Sequence, residues 1–316
     1  MTDMSSKQQT LADQIRLSGI GVHSGEPASL TLYPADENTG IVFVRTGADG
    51  SEVEIDAIWS AVSATALCTV IGKKSASVCT IEHLMAALRG LGVDNVLVEL
   101  DGDEVPVMDG SAIQFVDAID QVGLVKQAAL RRYIRIKKPI RVENKGAVSE
   151  LRPYEGMRFD VTIDFETPLI GRQSFVGDLT PELFRTEIAR ARTFGRVSDV
   201  EKLWAMGFAR GSSLENSVAI DGDRVLNPEG TRWADEFVRH KTLDAVGDLA
   251  LSGLPILGEY RSFKAGHAMN NAVLIALFSD EDAYEIVEGP ARRERESRPV
   301  DLTSDISAPA YGPDHS

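Results

Sequence analysis

The chain offers one imidazole and two carboxylates in a row. His240, Asp244 and Asp248 stand four residues apart in Val238-Arg-His-Lys-Thr-Leu-Asp-Ala-Val-Gly-Asp248. No proline interrupts the stretch and its apolar residues recur at helical spacing, which predicts a helix. On an ideal helix the three polar side chains span an arc of about 80°. Val238, Ala245, Val246 and Leu249 fall on the far side, where they should face the core. An imidazole and a carboxylate at this spacing can converge on one metal ion. Two protein ligands are too few for zinc, so a third must come from elsewhere in the chain.

Histidine is scarce. There are five, one of them His315 in the C-terminal stretch. His83 follows Glu82 on a predicted helix from Thr80 to Arg89, whose apolar stripe is Ile81, Leu84, Met85 and Leu88. His83 lies nearly opposite that stripe, beside Ala86, Ala87 and Gly90, so it does not read as a core histidine. Small neighbours there would let another element come close. Glu82 projects about 100° away from His83. His267 opens a last helix after Lys264-Ala-Gly266. His23 sits in Gly21-Val-His-Ser-Gly25, and its simplest reading is a solvent-exposed turn. Joined, these pieces offer two histidines and an aspartate with an open position for water, the pattern of a catalytic zinc. Glu82 would be the spare carboxylate that takes the proton of the attacking water.

The elements that must position these residues divide into two halves. Strands are predicted at Ser29–Tyr33, Gly40–Thr46, Thr65–Ile71 and Asn95–Leu100, with helices over 80–89 and 112–122. Cys68 reads as a small buried residue in the third of these strands. The character of the sequence changes over residues 124–132, and a domain boundary is expected there. Strands then read at Tyr133–Lys137, Ile140–Glu143, Ala147–Arg152 and Met157–Phe165. Thr180-Pro181 caps a helix to about Ala191, and Ser198-Asp-Val-Glu201 has the form of a capping box for a short helix ending at Gly207. A strand pair around Asp221-Gly222, a helix over 233–252, a strand over 256–264 and a helix over 267–278 follow. The expected fold is α+β: two similar domains, 1–127 and 128–288, each a mostly antiparallel sheet with helices on one face. The charged, proline-bearing stretch 289–316 reads as a disordered tail.

Composition narrows the function classes. At 316 residues, 43% hydrophobic and 26% charged, the chain is ordinary for a globular protein of two domains. A net charge of -15 argues against a nucleic-acid binder, which would show a basic face. No run approaches 18 apolar residues and the N-terminus lacks a continuous apolar core, so neither a membrane span nor a signal peptide is expected. Two cysteines, Cys68 and Cys79, fit a reducing cytoplasm rather than a disulfide framework. One rival to the metal-hydrolase reading stands at this point: a non-enzymatic two-domain protein whose histidines are incidental.

Several motifs occur together and in order: Gly19-Ile-Gly-Val-His-Ser-Gly25, Leu67-Cys-Thr69, Thr80-Ile-Glu-His-Leu84, Met108-Asp-Gly-Ser-Ala112, Arg190-Ala-Arg-Thr-Phe-Gly195, Asp235-Glu-Phe-Val-Arg-His-Lys241 and Gly266-His267. In these the sequence resembles the UDP-3-O-acyl-N-acetylglucosamine deacetylases, zinc amidases of lipid A synthesis, from about Thr10 to Glu288. The resemblance implies zinc ligands at His83, His240 and Asp244, with iron(II) as an alternative occupant in the cell. It implies Glu82 as general base, and His267 as general acid or electrostatic stabiliser, oriented by Asp248. Thr193 would help bind the oxyanion, and Lys241, Phe194 and Cys68 would contact substrate. It further implies an acylated UDP-sugar substrate, a cytoplasmic enzyme expected to be monomeric, a site between the two domains, and an insert near 197–219 that takes the acyl chain. Two features depart from the family's pattern: Arg196 follows Thr193-Phe-Gly195 where an apolar residue is common, and the run Gly211–Ser217 is more polar than the wall of an acyl passage suggests.

Overall fold

Alternation of apolar residues along Pro27–Pro34 and Val96–Leu100 places Leu30, Leu32, Val96, Val98 and Leu100 on one buried face. These two strands form the middle of a five-stranded sheet in the order Ile15–Ile20, Pro27–Pro34, Val96–Leu100, Ile41–Thr46, Glu52–Asp56. Only Ile41–Thr46 and Val96–Leu100 run parallel; the other neighbours are antiparallel. The structure, a computed structural model, describes residues 6–46, 50–73 and 76–289. The expected tail lies outside the described residues except for Gly289.

A second, seven-stranded sheet is built around Ile256–Phe263. That strand pairs antiparallel with Ala147–Arg152 and parallel with both Arg132–Ile136 and Met157–Asp164. The mixed α+β architecture agrees with the sequence expectation. Strands at Glu52–Asp56, Arg172–Asp178 and Tyr284–Glu288 were not anticipated. Residues around the expected boundary form a strand, Leu124–Leu130, antiparallel to Lys7–Leu11.

The α-helices among the described residues are α1 (Glu82–Leu91), α2 (Ile113–Val122), α3 (Pro181–Leu183), α4 (Val197–Ala205), α5 (Glu236–Ala250) and α6 (His267–Phe278). α1 packs along α5. The approach is close because Gly247 lacks a side chain: a Cβ there would lie 2.0 Å from the Glu82 carbonyl oxygen. Gly90 performs the same service for the Phe184 ring, whose Cγ would stand 2.3 Å from its Cβ. The core is continuous across both sheets and includes α1 and α5. Among the described residues no helix is long and apolar enough to cross a membrane.

Several local expectations are corrected. No strand covers Thr65 to Thr69: Leu67 is left-handed at φ 71, and the strand begins at Val70. The helix capped by Thr180, whose side chain accepts from the Leu183 N–H, does not reach Ala191; it widens into a π turn over Phe184–Ile188. Ser198 does not cap α4. The helix already starts at Val197 after Arg196, whose Nε donates to Asp199 Oδ2 at 2.8 Å. The Thr180 cap thus holds and only the end of its helix differs, whereas the expected Ser198 cap is not used.

Candidate active site

α5 is buried almost throughout, polar residues included. Its apolar side meets the second sheet and its polar row meets α1, so His240, Asp244 and Asp248 are each 2% exposed between the two helices. The sequence placed this row away from the apolar stripe, and the structure covers it with α1 instead of water. α1 contributes Glu82 and His83 from its first turn, 4% and 5% exposed.

Three side chains converge. His240 Nε2 lies 3.3 Å and His83 Nε2 3.7 Å from Asp244 Oδ1, and the two rings are edge-on, 5.1 Å between centroids. One donor atom from each lies within 4.8 Å of the others, close enough to share an ion. Asp244 Oδ1 is buried and has no hydrogen-bond partner among the described residues. The other oxygen, Oδ2, accepts from Lys241 Nζ at 2.7 Å. His240 Nδ1 faces the Ala191 carbonyl at 3.0 Å, which turns Nε2 toward the group. Burial drives the His240 pKa down to about 3, so its imidazole is neutral and able to ligate. Burial opposes the charge on Asp244, yet its polar neighbours, the Lys241 cation among them, hold its carboxyl well below the usual range. A buried, unpartnered carboxylate oxygen facing two imidazoles suits a divalent cation.

Beside this group stands an acid–base pair. Glu82 Oε1 is 3.8 Å from His267 Nε2. His267 Nδ1 is bonded to Asp248 Oδ2 at 2.8 Å, and Asn270 Nδ2 donates to the same oxygen at 2.8 Å. Burial alone would lower the His267 pKa; the charges of Asp248 and Glu82 outweigh it and raise it from 6.5 to about 10. Burial pushes Glu82 up, with His267 and His83 pulling the other way. His267 is therefore a cation at neutral pH that faces a carboxylate. The folded chain keeps this proton where the unfolded chain loses it. The resulting stability is complete below pH 6.5 and is lost as pH rises to about 10, by at most about 1.4 kcal/mol per pH unit. Urea unfolding from about pH 7 to about pH 9 should show that slope in the wild type and a flatter one in His267→Gln.

A cavity of about 180 Å³ opens on these groups, lined by Glu82, His83, Thr193, Phe194, Lys241 and His267 among others. Thr193 is held by two backbone bonds, its N–H to the Gly110 carbonyl at 2.7 Å and its carbonyl from the Val218 N–H at 2.8 Å. The neighbouring Arg192 is fixed by a buried pair with Glu236 at 3.0 Å. Lys241 Nζ stands 5.6 Å from the centre of the Phe194 ring. Cys68 is buried but does not line the cavity; its neighbour Leu67 does. Burial, then Glu82, pushes the Cys68 thiol up to about 12.

The structure adds two residues. His23 is a cavity residue rather than an exposed turn. Its Nδ1 is buried, its ring stands edge-on to Phe208, and Glu104 holds its loop through the N–H groups of His23 and Ser24, both at 2.9 Å. The close glycine spacing around His23 was the available signal: a Cβ on Gly21 would lie 2.1 Å from Glu104 Oε2. Thr69 is the second; only its place in Leu67-Cys-Thr69 marked it. From α4, Val200 and Leu203 reach the cavity wall, while Trp204, Met206, Phe208 and Leu214 leave apolar surface exposed nearby in sequence.

Comparison with known proteins identifies a family. The profile of the UDP-3-O-acyl N-acetylglycosamine deacetylase family matches residues 8–279. Proteins named UDP-3-O-acyl-N-acetylglucosamine deacetylase from Brucella ovis, Brucella abortus and Brucella melitensis are each 52% identical over 286 residues, covering 90% of this chain and 100% of each relative.

Proposed function

The chain belongs to the UDP-3-O-acyl N-acetylglycosamine deacetylase family, and on that premise we propose that it removes the N-acetyl group of UDP-3-O-(3-hydroxyacyl)-N-acetylglucosamine in the cytoplasm, the deacetylation step of lipid A biosynthesis, using zinc. The observation that carries the reading is the meeting of His83, His240 and Asp244 beside the Glu82–His267 pair. The site lies between the two proposed domains, which divide near residue 128.

His83, His240 and Asp244 would hold the ion, and zinc bound there supplies Lewis acidity toward water and the amide carbonyl. Glu82 takes the proton of the attacking water through Oε1, the oxygen that faces His267. The Thr193 hydroxyl donates to the oxyanion that develops as the carbonyl carbon becomes tetrahedral, a contact often worth about 3 kcal/mol. His267, cationic and steered by Asp248, gives a proton to the amide nitrogen as the C–N bond breaks. Acetate and the free amine leave. Lys241 and Phe194 position the sugar, and the segment 197–219 receives the acyl chain.

Turnover of UDP-3-O-acyl-N-acetylglucosamine against plain UDP-N-acetylglucosamine tests the substrate. Burying four methylenes at about 0.8 kcal/mol each corresponds to about two hundredfold in kcat/KM. Equal rates on the two would remove the acyl passage from this reading. One zinc per chain and loss of turnover to a chelator are expected, and a metal-free protein with full activity would overturn the zinc assignment.

A further inference from the structure

Thr69 belongs to neither helix of the site and does not line the cavity, yet it touches the machinery of both. It is 1% exposed. Its backbone N–H donates to Glu82 Oε2 at 3.1 Å, and its hydroxyl donates to Asp248 Oδ1 at 2.6 Å. Glu82 is on α1 and Asp248 on α5, so one residue of a third segment ties the carboxylates of two helices together. The loop that presents it is held in an unfavourable shape: Leu67, two residues before, has φ 71, a left-handed region that ordinary side chains rarely adopt.

The bonds leave each carboxylate with a defined orientation. On Asp248, Oδ2 serves His267 and Asn270 and Oδ1 serves Thr69. On Glu82, Oε2 is taken by the Thr69 N–H, and Oε1 is the oxygen turned toward His267. A carboxylate free to rotate would present either oxygen and would lose the alignment that proton transfer requires.

We propose that Thr69 is a positioning residue for the deacetylation: it fixes which Glu82 oxygen accepts the proton and holds that oxygen in register with the His267–Asp248 pair. The inference rests on Glu82 being the base. The backbone half of the clamp survives substitution, so the hydroxyl half is the part to test.

Zinc-loaded full-length wild type, Thr69→Val, Thr69→Ser and Glu82→Ala are compared by steady-state kinetics, metal content and thermal melting. Valine keeps the shape and deletes a hydrogen bond to a charged group, so kcat should fall about ten- to hundredfold. KM should stay within about twofold, because nothing that contacts substrate is removed. Serine restores the hydroxyl and should return kcat to within about threefold of wild type. Thr69→Val at the wild-type kcat overturns the proposal. So does a loss of kcat that serine fails to restore, or one matched by a parallel rise in KM and fall in melting temperature. Glu82→Ala separates the two levels. If it is active, the base assignment fails; if it is inactive while Thr69→Val turns over normally, only the role of Thr69 falls.

Discussion

Replacing Glu82 with alanine is expected to lower kcat by about two to four orders of magnitude while the metal stays bound. The two effects separate because the carboxylate is not one of the three converging donors. His83, His240 and Asp244 face one another, and Glu82 lies to the side, with one oxygen on Thr69 and the other toward His267. The truncation has a structural cost. The Thr69 N–H loses its acceptor in a buried place, worth about 1–3 kcal/mol. Glutamine in place of Glu82 keeps a carbonyl oxygen for that N–H but is not a base. It should therefore match alanine in lost turnover and stay nearer the wild type in stability. Rapid-quench or steady-state rates, with metal content measured on the same samples, check the pair. Turnover within tenfold of wild type in the glutamine variant would remove Glu82 from the role of base.

The group of His83, His240 and Asp244 was legible because its logic is local. A four-residue spacing on a helix fixes the relation of His240 to Asp244 whatever the rest of the fold does. His83 was legible for a similar reason: a histidine opposite its own apolar stripe, flanked by alanines, must meet something other than its own sheet. What was hidden depends on contacts between segments far apart in sequence. Thr69 bonds Asp248 across 179 residues, and no periodicity in Leu67-Cys-Thr69 announces it. His23 looked like a turn because glycines surround it. Those glycines are there to admit Glu104 and the backbone of Gly211, whose Cβ would lie 2.3 Å from the Gly21 carbonyl oxygen. The fold shows the same division. Strands with clean alternation and helices with a full stripe were foreseen near their true limits. The apolar run at Thr65–Ile71 was misread because Leu67 takes a left-handed turn that only its surroundings can stabilise.

Asp244→Asn is expected to weaken zinc binding by at least about a hundredfold, the upper end of the loss seen when a group that merely orients a ligand is removed. The substitution is nearly isosteric, so packing between α1 and α5 should survive. What changes is charge. Oδ1 faces both imidazoles without a partner, and it is the only anionic donor of the group. His240 is held neutral by burial before any other influence, so its imidazole contributes no charge of its own. Lys241 complicates the outcome in a useful way. Its Nζ sits 2.7 Å from Asp244 Oδ2, and the amide would leave that cation facing the site unneutralised, opposing a second cation there. The Lys241 side chain is 24% exposed, so the apo variant should lose only about 1–2 kcal/mol, less than a fully buried broken pair would. The linkage to folding gives the decisive readout. At a zinc concentration a hundredfold above its wild-type dissociation constant, the metal stabilises the wild type by about 2.7 kcal/mol and the variant by well under 1. Unfolding curves with and without chelator measure both numbers in one experiment. Equal stabilisation in the two proteins would mean that another carboxylate holds the ion. Both Asp248 oxygens are bonded elsewhere, so Glu82, which lines the same cavity, is the neighbour that could, and Glu82→Ala would then have to lose metal along with turnover.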